Sequence, residues 1–344
     1  MAGPVSLVRR ILAVGVLVLA AVVGAAAPAS AHTLSGPQPT NFRTTVDGIT
    51  PALPGVEVAI VDGGTKVQLA NGTDSPVTVL GYEGEPYLRI GPRGVEENRR
   101  SPATALNRSA TPSGRPPAGL DATAEPRWVR LSAEPVARWH DHRAHWMGRG
   151  SVRDLDWSIP LRRGPTGAEI RGTVTTEPAP RAWLWIATAV AITAVTVVAA
   201  RGRRWAPVLA VALSLLTVSE TLHVIGAWSA WEATVLRRLI GVAPSLVAIA
   251  ACVGALVALA LRRRSPDAAT PLALLAGVFT ALAGGLADLG SLTHAIPPST
   301  LAPAVVRATV AVALGAGVGV AVIAARHLRP ADAPVAPPAR PVSG

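Results

Sequence analysis

The decapeptide Arg138-Trp139-His140-Asp141-His142-Arg143-Ala144-His145-Trp146-Met147 holds three of the seven histidines of this chain within six residues. Imidazole with carboxylate is a donor set for Cu(II), Zn or Ni. In a strand, His140 and His142 share one face. In a helix, His142 and His145 share a face, as do Asp141 and His145. Either conformation presents two imidazoles at a spacing that suits one ion, with Asp141 as a further ligand. The alternative is a surface loop that is merely rich in histidine. Met147 adds a thioether beside the cluster, and Trp139 and Trp146 are expected to pack the segment onto its domain.

A second set of groups lies in strongly apolar sequence, where ionisable side chains are costly and therefore informative. Glu220 and His223 are three residues apart and share a helix face. Asp288 and His294 lie near the end of a later apolar span. Counted from Trp228 and Ile296 at 1.5 Å per residue, Glu220 and Asp288 each sit about 12 Å deep and His223 about 7 Å. These four are expected to converge beneath an exported domain, provided that the second and fourth spans are neighbours. There they would receive or sense an ion, or serve an ion- or proton-coupled subunit.

The elements that position these residues follow in chain order. Residues 1–31 have the form of a signal peptide: Arg9 and Arg10, then an apolar run from Ile11 to Ala27, then Ala29-Ser30-Ala31. Cleavage after Ala31 makes His32 the first mature residue, whose free amine and imidazole can chelate Cu(II). Residues 32–180 are expected to form an exported antiparallel β-sandwich (Ig-like). Val56, Val58 and Ile60 alternate with polar or small residues, Asp62-Gly63-Gly64 turns, Val67 and Leu69 resume, and Asn71-Gly72 turns again. Val77, Val79, Tyr87, Ile90, Arg127–Leu131, Leu155–Leu161 and Glu169–Val174 continue the pattern. The Pro/Ser/Ala-rich stretch 101–126 is expected to be a mobile excursion.

Beyond Arg181 come five apolar spans, Trp183–Ala200, Ala206–Trp228, Leu239–Leu261, Leu272–Leu292 and Ala302–Ala325. Each is long enough to cross a hydrocarbon core, which makes 181–329 an all-α bundle of five transmembrane helices and the whole chain α+β by segment. The Arg201–Arg204, Arg262–Arg264 and Arg326–Arg329 clusters all fall on one side of that bundle. The positive-inside rule puts that side in the cytoplasm, with the sandwich outside, the protein in the plasma membrane and the tail 330–344 disordered in the cytoplasm. Gly284-Gly285 and the Gly315/Gly319 pair permit close helix approach.

Composition agrees. Half of the 344 residues are hydrophobic and the net charge is +11. Residues 32–180 carry 17 Lys and Arg against 16 Asp and Glu, so the excess charge lies beside the apolar segments. Membrane topology accounts for it, and nucleic-acid binding is not expected. Cys252 is the only cysteine, which excludes an intrachain disulfide. The chain has no H-E-x-x-H, no G-x-S-x-G and no P-loop, and is expected not to be an enzyme.

His32 at a mature terminus, a neutral β domain and histidines on outward-facing spans together resemble the copper-handling proteins of the CopC/CopD type. That resemblance implies copper as the ion, with zinc as the alternative, His32 as a terminal chelate and His140 or His142 as the additional imidazole. Five spans are fewer than a CopD-like bundle has, and no Met-rich segment is present. Gly81–Leu88 and His140–Met147 also look like an actinobacterial family of exported multi-pass membrane proteins, a resemblance that implies no activity. The expected function is membrane-anchored extracytoplasmic metal handling, with the lipid bilayer and a copper chaperone or envelope protein as partners. The alternative is a non-enzymatic cell-envelope interaction protein that uses its sandwich to contact a partner.

Overall fold

A computed structural model describes residues 36–108, 119–146, 150–262 and 268–328. The signal-peptide segment, His32, Met147 and the 330–344 tail lie outside the described residues. Ten strands come first: β1 (Phe42–Thr50), β2 (Val56–Val61), β3 (Lys66–Asn71), β4 (Val77–Leu80), β5 (Pro86–Gly91), β6 (Gly94–Asn98), β7 (Trp128–Ser132), β8 (Val136–Trp139), β9 (Leu155–Arg163) and β10 (Thr166–Thr176). They form two antiparallel sheets, one ordered β1-β10-β9-β4-β5-β6-β7 and the other β2-β3-β8. The alternating apolar residues turn inward between the sheets. Val67, Leu69, Val77, Val79, Ile90, Ile159 and Ile170 are almost wholly buried there.

The turns behave as their sequences require. Asp62-Gly63-Gly64 is a single 3-10 turn between β2 and β3. Gly63 and Gly64 adopt positive φ, and so does Asp62 at 53°, a conformation that Asp tolerates better than most residues. The stretch expected to be mobile from residue 101 begins as part of the fold. Ser101 caps a short helix, α1 (Pro102–Leu106), by accepting a hydrogen bond from the Ala103 N–H. Ser101, Ala103 and Thr104 are buried. The rest of the excursion, 109–118, lies outside the described residues.

The chain then becomes helical: α2 (Ala182–Ala199), α3 (Trp205–Ala230), α4 (Val235–Ala260), α5 (Ala269–Thr280), α6 (Gly290–Thr293) and α7 (Pro303–Arg326). Five helical stretches are long and apolar enough to cross a membrane. The fourth is not a uniform helix: α5 passes into a π-helical turn, Ala281–Leu286, before the chain loosens at Asp288. The last span, α7, is central, with 61% of its most apolar window buried, against 11% for α2. It packs on α2, α3 and α5, and α4 closes the ring between α3 and α5. Glycine makes the tight crossings possible. Gly277 of α5 and Gly317 of α7 each leave no room for a Cβ against the other's carbonyl. Trp183, Ile186, Val190, Val195 and Val198 on α2 are exposed, an apolar surface suited to lipid.

The β domain sits on one end of this bundle. Thr40 and Ile296 exchange backbone hydrogen bonds at 3.0 and 2.9 Å, Asn41 accepts from the Ala295 N–H at 2.7 Å, and Asp62 accepts from the Glu232 N–H at 2.6 Å. The docking loops are therefore those after α3 and α6, opposite the ends that carry Arg201–Arg204 and Arg326.

Candidate functional site

The histidine cluster is neither strand nor α-helix. β8 ends at Trp139, His140 and Asp141 follow without regular structure, and His142–Ala144 forms one 3-10 turn. The turn brings three rings together that no single regular face would. The His140 ring lies 5.1 Å from that of His142 and 4.2 Å from that of His145, centroid to centroid.

Asp141 builds this turn. It is fully buried and accepts from the Arg143 N–H at the start of the turn, from Arg143 Nε and Nη2, and from Trp139 Nε1. Arg143 in turn donates to the carbonyls of Leu80 and Gly81, and its guanidinium stacks over Tyr82. Burial opposes the charge on Asp141, but the Arg143 pairing wins and holds its carboxyl below the usual range. Both carboxylate oxygens are thus committed to the fold. Asp141, expected as a ligand, has both oxygens engaged by Arg143 and Trp139.

Each imidazole is anchored by one ring nitrogen to a backbone carbonyl. His140 Nδ1 bonds to Thr65 O at 2.7 Å, His142 Nε2 to Leu106 O at 2.9 Å, and His145 Nδ1 to Asp141 O at 2.9 Å. A carbonyl can only accept, so the anchoring nitrogen carries the proton in each ring. The opposite nitrogens, His140 Nε2, His142 Nδ1 and His145 Nε2, carry the lone pairs. All three are buried and have no hydrogen-bond partner among the described residues. Burial pushes the His140 imidazole down to about 4, with His145 as a second cause, and burial also lowers His145. Both are neutral at pH 7, the form that binds metal.

Among the described residues no group of three His, Cys, Asp or Glu side chains stands as a ready-made coordination sphere. The rings rest against one another. Thr65, Leu106 and the Asp141 carbonyl were not legible as site residues, because a backbone carbonyl leaves no mark in side-chain identity.

The intramembrane set divides. Glu220 on α3 is 1% exposed, and its Oε2 has no partner among the described residues. His223 Nδ1 lies 3.4 Å from Asp288 Oδ2, so the second and fourth spans do bring these groups together. His294 does not join them. Its Nδ1 bonds within its own segment to Gly290 O and Thr293 Oγ1. Gly284, expected to serve helix packing, instead makes room for the acid: a Cβ there would fall within the Glu220 carboxylate.

The chain matches no family model, no curated protein and no solved structure.

Proposed function

We propose that this is a membrane-anchored metal-handling protein whose β domain holds a divalent transition-metal ion on His140, His142 and His145. One observation carries the proposal: three neighbouring imidazoles, each fixed by a carbonyl on one nitrogen, each leave the other nitrogen buried and unpartnered. Unpaired buried polar atoms are costly, and a backbone acceptor on the far ring nitrogen is the usual support of a metal-bound histidine. Copper is the first candidate, because Cu(II) stands highest in the affinity order for such nitrogen sites, and zinc is the second. Arg201–Arg204, Arg262 and Arg326 lie at the bundle end away from the β domain, which supports a β domain outside the cytoplasm. His32 remains a further ligand candidate outside the described residues.

The test uses the full chain in lipid nanodiscs, stripped of metal and titrated with Cu(II) and Zn(II) by calorimetry. One saturable site is expected, lost in the His140→Ala/His142→Ala double variant. Equal binding by the wild type and that variant overturns the assignment.

A further inference from the structure

A cleft lies where the bundle meets the β domain. His223, Ala227, Asp288, Ser299 and Thr309 are among the residues that line it, and it has room for about one water molecule. Its rim is the 295–301 loop, which is tied to Thr40 and Asn41 of the β domain and, through the Thr300 N–H, to the Gly226 carbonyl. At its floor the His223 imidazole meets the Asp288 carboxylate. One helical turn deeper, Glu220 points its unpartnered oxygen into the bundle, faced by Ser245 and Cys252 of α4 and backed by Gly284 of the π turn. Ser219 of α3 donates to the Thr309 carbonyl of α7. Arg307 is committed to the carbonyls of Ser291, His294 and Ala295. Among the described residues His223 is thus the basic group that faces the two acids.

We propose that Glu220, His223 and Asp288 form a proton-exchange site, loaded from the cleft beneath the β domain. The charge count favours protons over a larger cation. Two carboxylates and a neutral imidazole carry −2, and two bound protons make the set neutral, as a low-dielectric interior requires. The space beside Glu220 is closed by Gly284. The His223 imidazole takes a proton from solvent hydronium at the cleft, which leaves water and gives an imidazolium paired with Asp288. The imidazolium then passes that proton to the Glu220 carboxylate, one helical turn deeper on the same face of α3, and returns to neutral imidazole. The π turn supplies the local widening that lets a carboxyl lie between α3 and the fourth span, a common use of such turns.

The proton site is independent of metal binding in the β domain. Its test is infrared pH-difference spectroscopy on the full chain in nanodiscs without added metal. A carboxylic-acid C=O band is expected to rise as pH falls, to move when the protein is made with carboxyl-13C glutamate, and to vanish in Glu220→Gln. His223→Ala is expected to displace its midpoint by about one pH unit or more. The labelled wild type needs no substitution, so a poorly folding variant does not spoil the result. No glutamate-derived band, a band that survives Glu220→Gln, or a midpoint indifferent to His223→Ala overturns the proposal. So does a midpoint that follows sodium or potassium concentration, which would assign the site to a metal cation.

Discussion

Asp62 Oδ1 accepts the backbone N–H of Glu232 at 2.6 Å, joining the β2–β3 turn to the connection between α3 and α4. The same carboxylate pairs with Lys66 at 2.7 Å. Glu232 in turn meets Arg138 of β8 and Arg238 of α4, each at 3.6 Å. Thr65, three residues after Asp62, supplies the carbonyl that anchors His140. One short turn thus touches both the histidine cluster and the helical bundle. A hydrogen bond to a charged acceptor contributes about 1.5–3 kcal/mol. Asp62→Ala is therefore expected to speed hydrogen exchange at the Glu232 amide by about tenfold to a hundredfold. Asp62→Asn, which keeps an acceptor and tolerates the positive φ, should give a smaller change. Mass-spectrometric exchange over 228–238 reads both, and unchanged exchange in Asp62→Ala would show that the contact holds nothing.

Asp141 separates the structural part of the histidine segment from its proposed metal part. Removing it leaves Arg143, itself mostly buried, without its partner. Breaking a buried pair in this way costs about 3–5 kcal/mol. Asp141→Ala is expected to lower the unfolding midpoint of the β domain accordingly, followed by tryptophan fluorescence. Asp141→Asn keeps some acceptor capacity and should fold at low temperature with the wild-type metal stoichiometry, since the proposed three-histidine site does not use the carboxylate. Loss of one bound ion in folded Asp141→Asn would return Asp141 to the coordination sphere.

Much of this architecture was legible in advance. Val67, Leu69, Val77 and Val79 alternate in the sequence and are wholly buried in the structure, because the two-residue period of a strand is imposed by its pleat. The five apolar spans were legible for a similar reason, since length and hydropathy alone decide them. β1 was not. Its threonine-rich sequence, broken by Arg43 and Asp47, has no clear apolar face, and its partner is β10 at the far end of the domain. The histidines could be named as a group, but their mutual arrangement depends on a 3-10 turn that Asp141 builds from within. Glu220 and Asp288 stood out by the cost of burying an acid, while the failure of His294 to join them depends on a capping geometry that no spacing reveals.

The low value of His140 has a consequence for stability in the metal-free protein. The unfolded imidazole titrates near 6.5 and the folded one near 4. Between these values the unfolded state binds the proton that the folded state refuses, so folding weakens as pH falls through that window. His145 is shifted in the same direction and for the same first cause, burial. The unfolding midpoint of the β domain is expected to fall from about pH 6.5 downward and to level off near pH 4. His140→Phe should flatten this slope. A wild-type midpoint that is constant across the window would mean that the ring is solvated and charged in the fold.

Gly284 and Glu220 should behave as one unit. The space that a methyl group would need at position 284 is taken by the Glu220 carboxylate, and overpacking a tight interior costs about 1–3 kcal/mol. The acid cannot retreat, because the α3 backbone is fixed against α7 by Ser219, whose hydroxyl donates to the Thr309 carbonyl at 3.0 Å. Gly284→Ala alone is expected to lower the thermal midpoint of the detergent-solubilised protein. Glu220→Ala alone opens a void beside the glycine and should also destabilise. In the double variant the new methyl fills part of that void, so the two losses should not add, and the double variant should melt above Gly284→Ala. Strict additivity of the two single changes would separate the pair, and the glycine would then serve helix packing alone, as Gly285 does against Leu314.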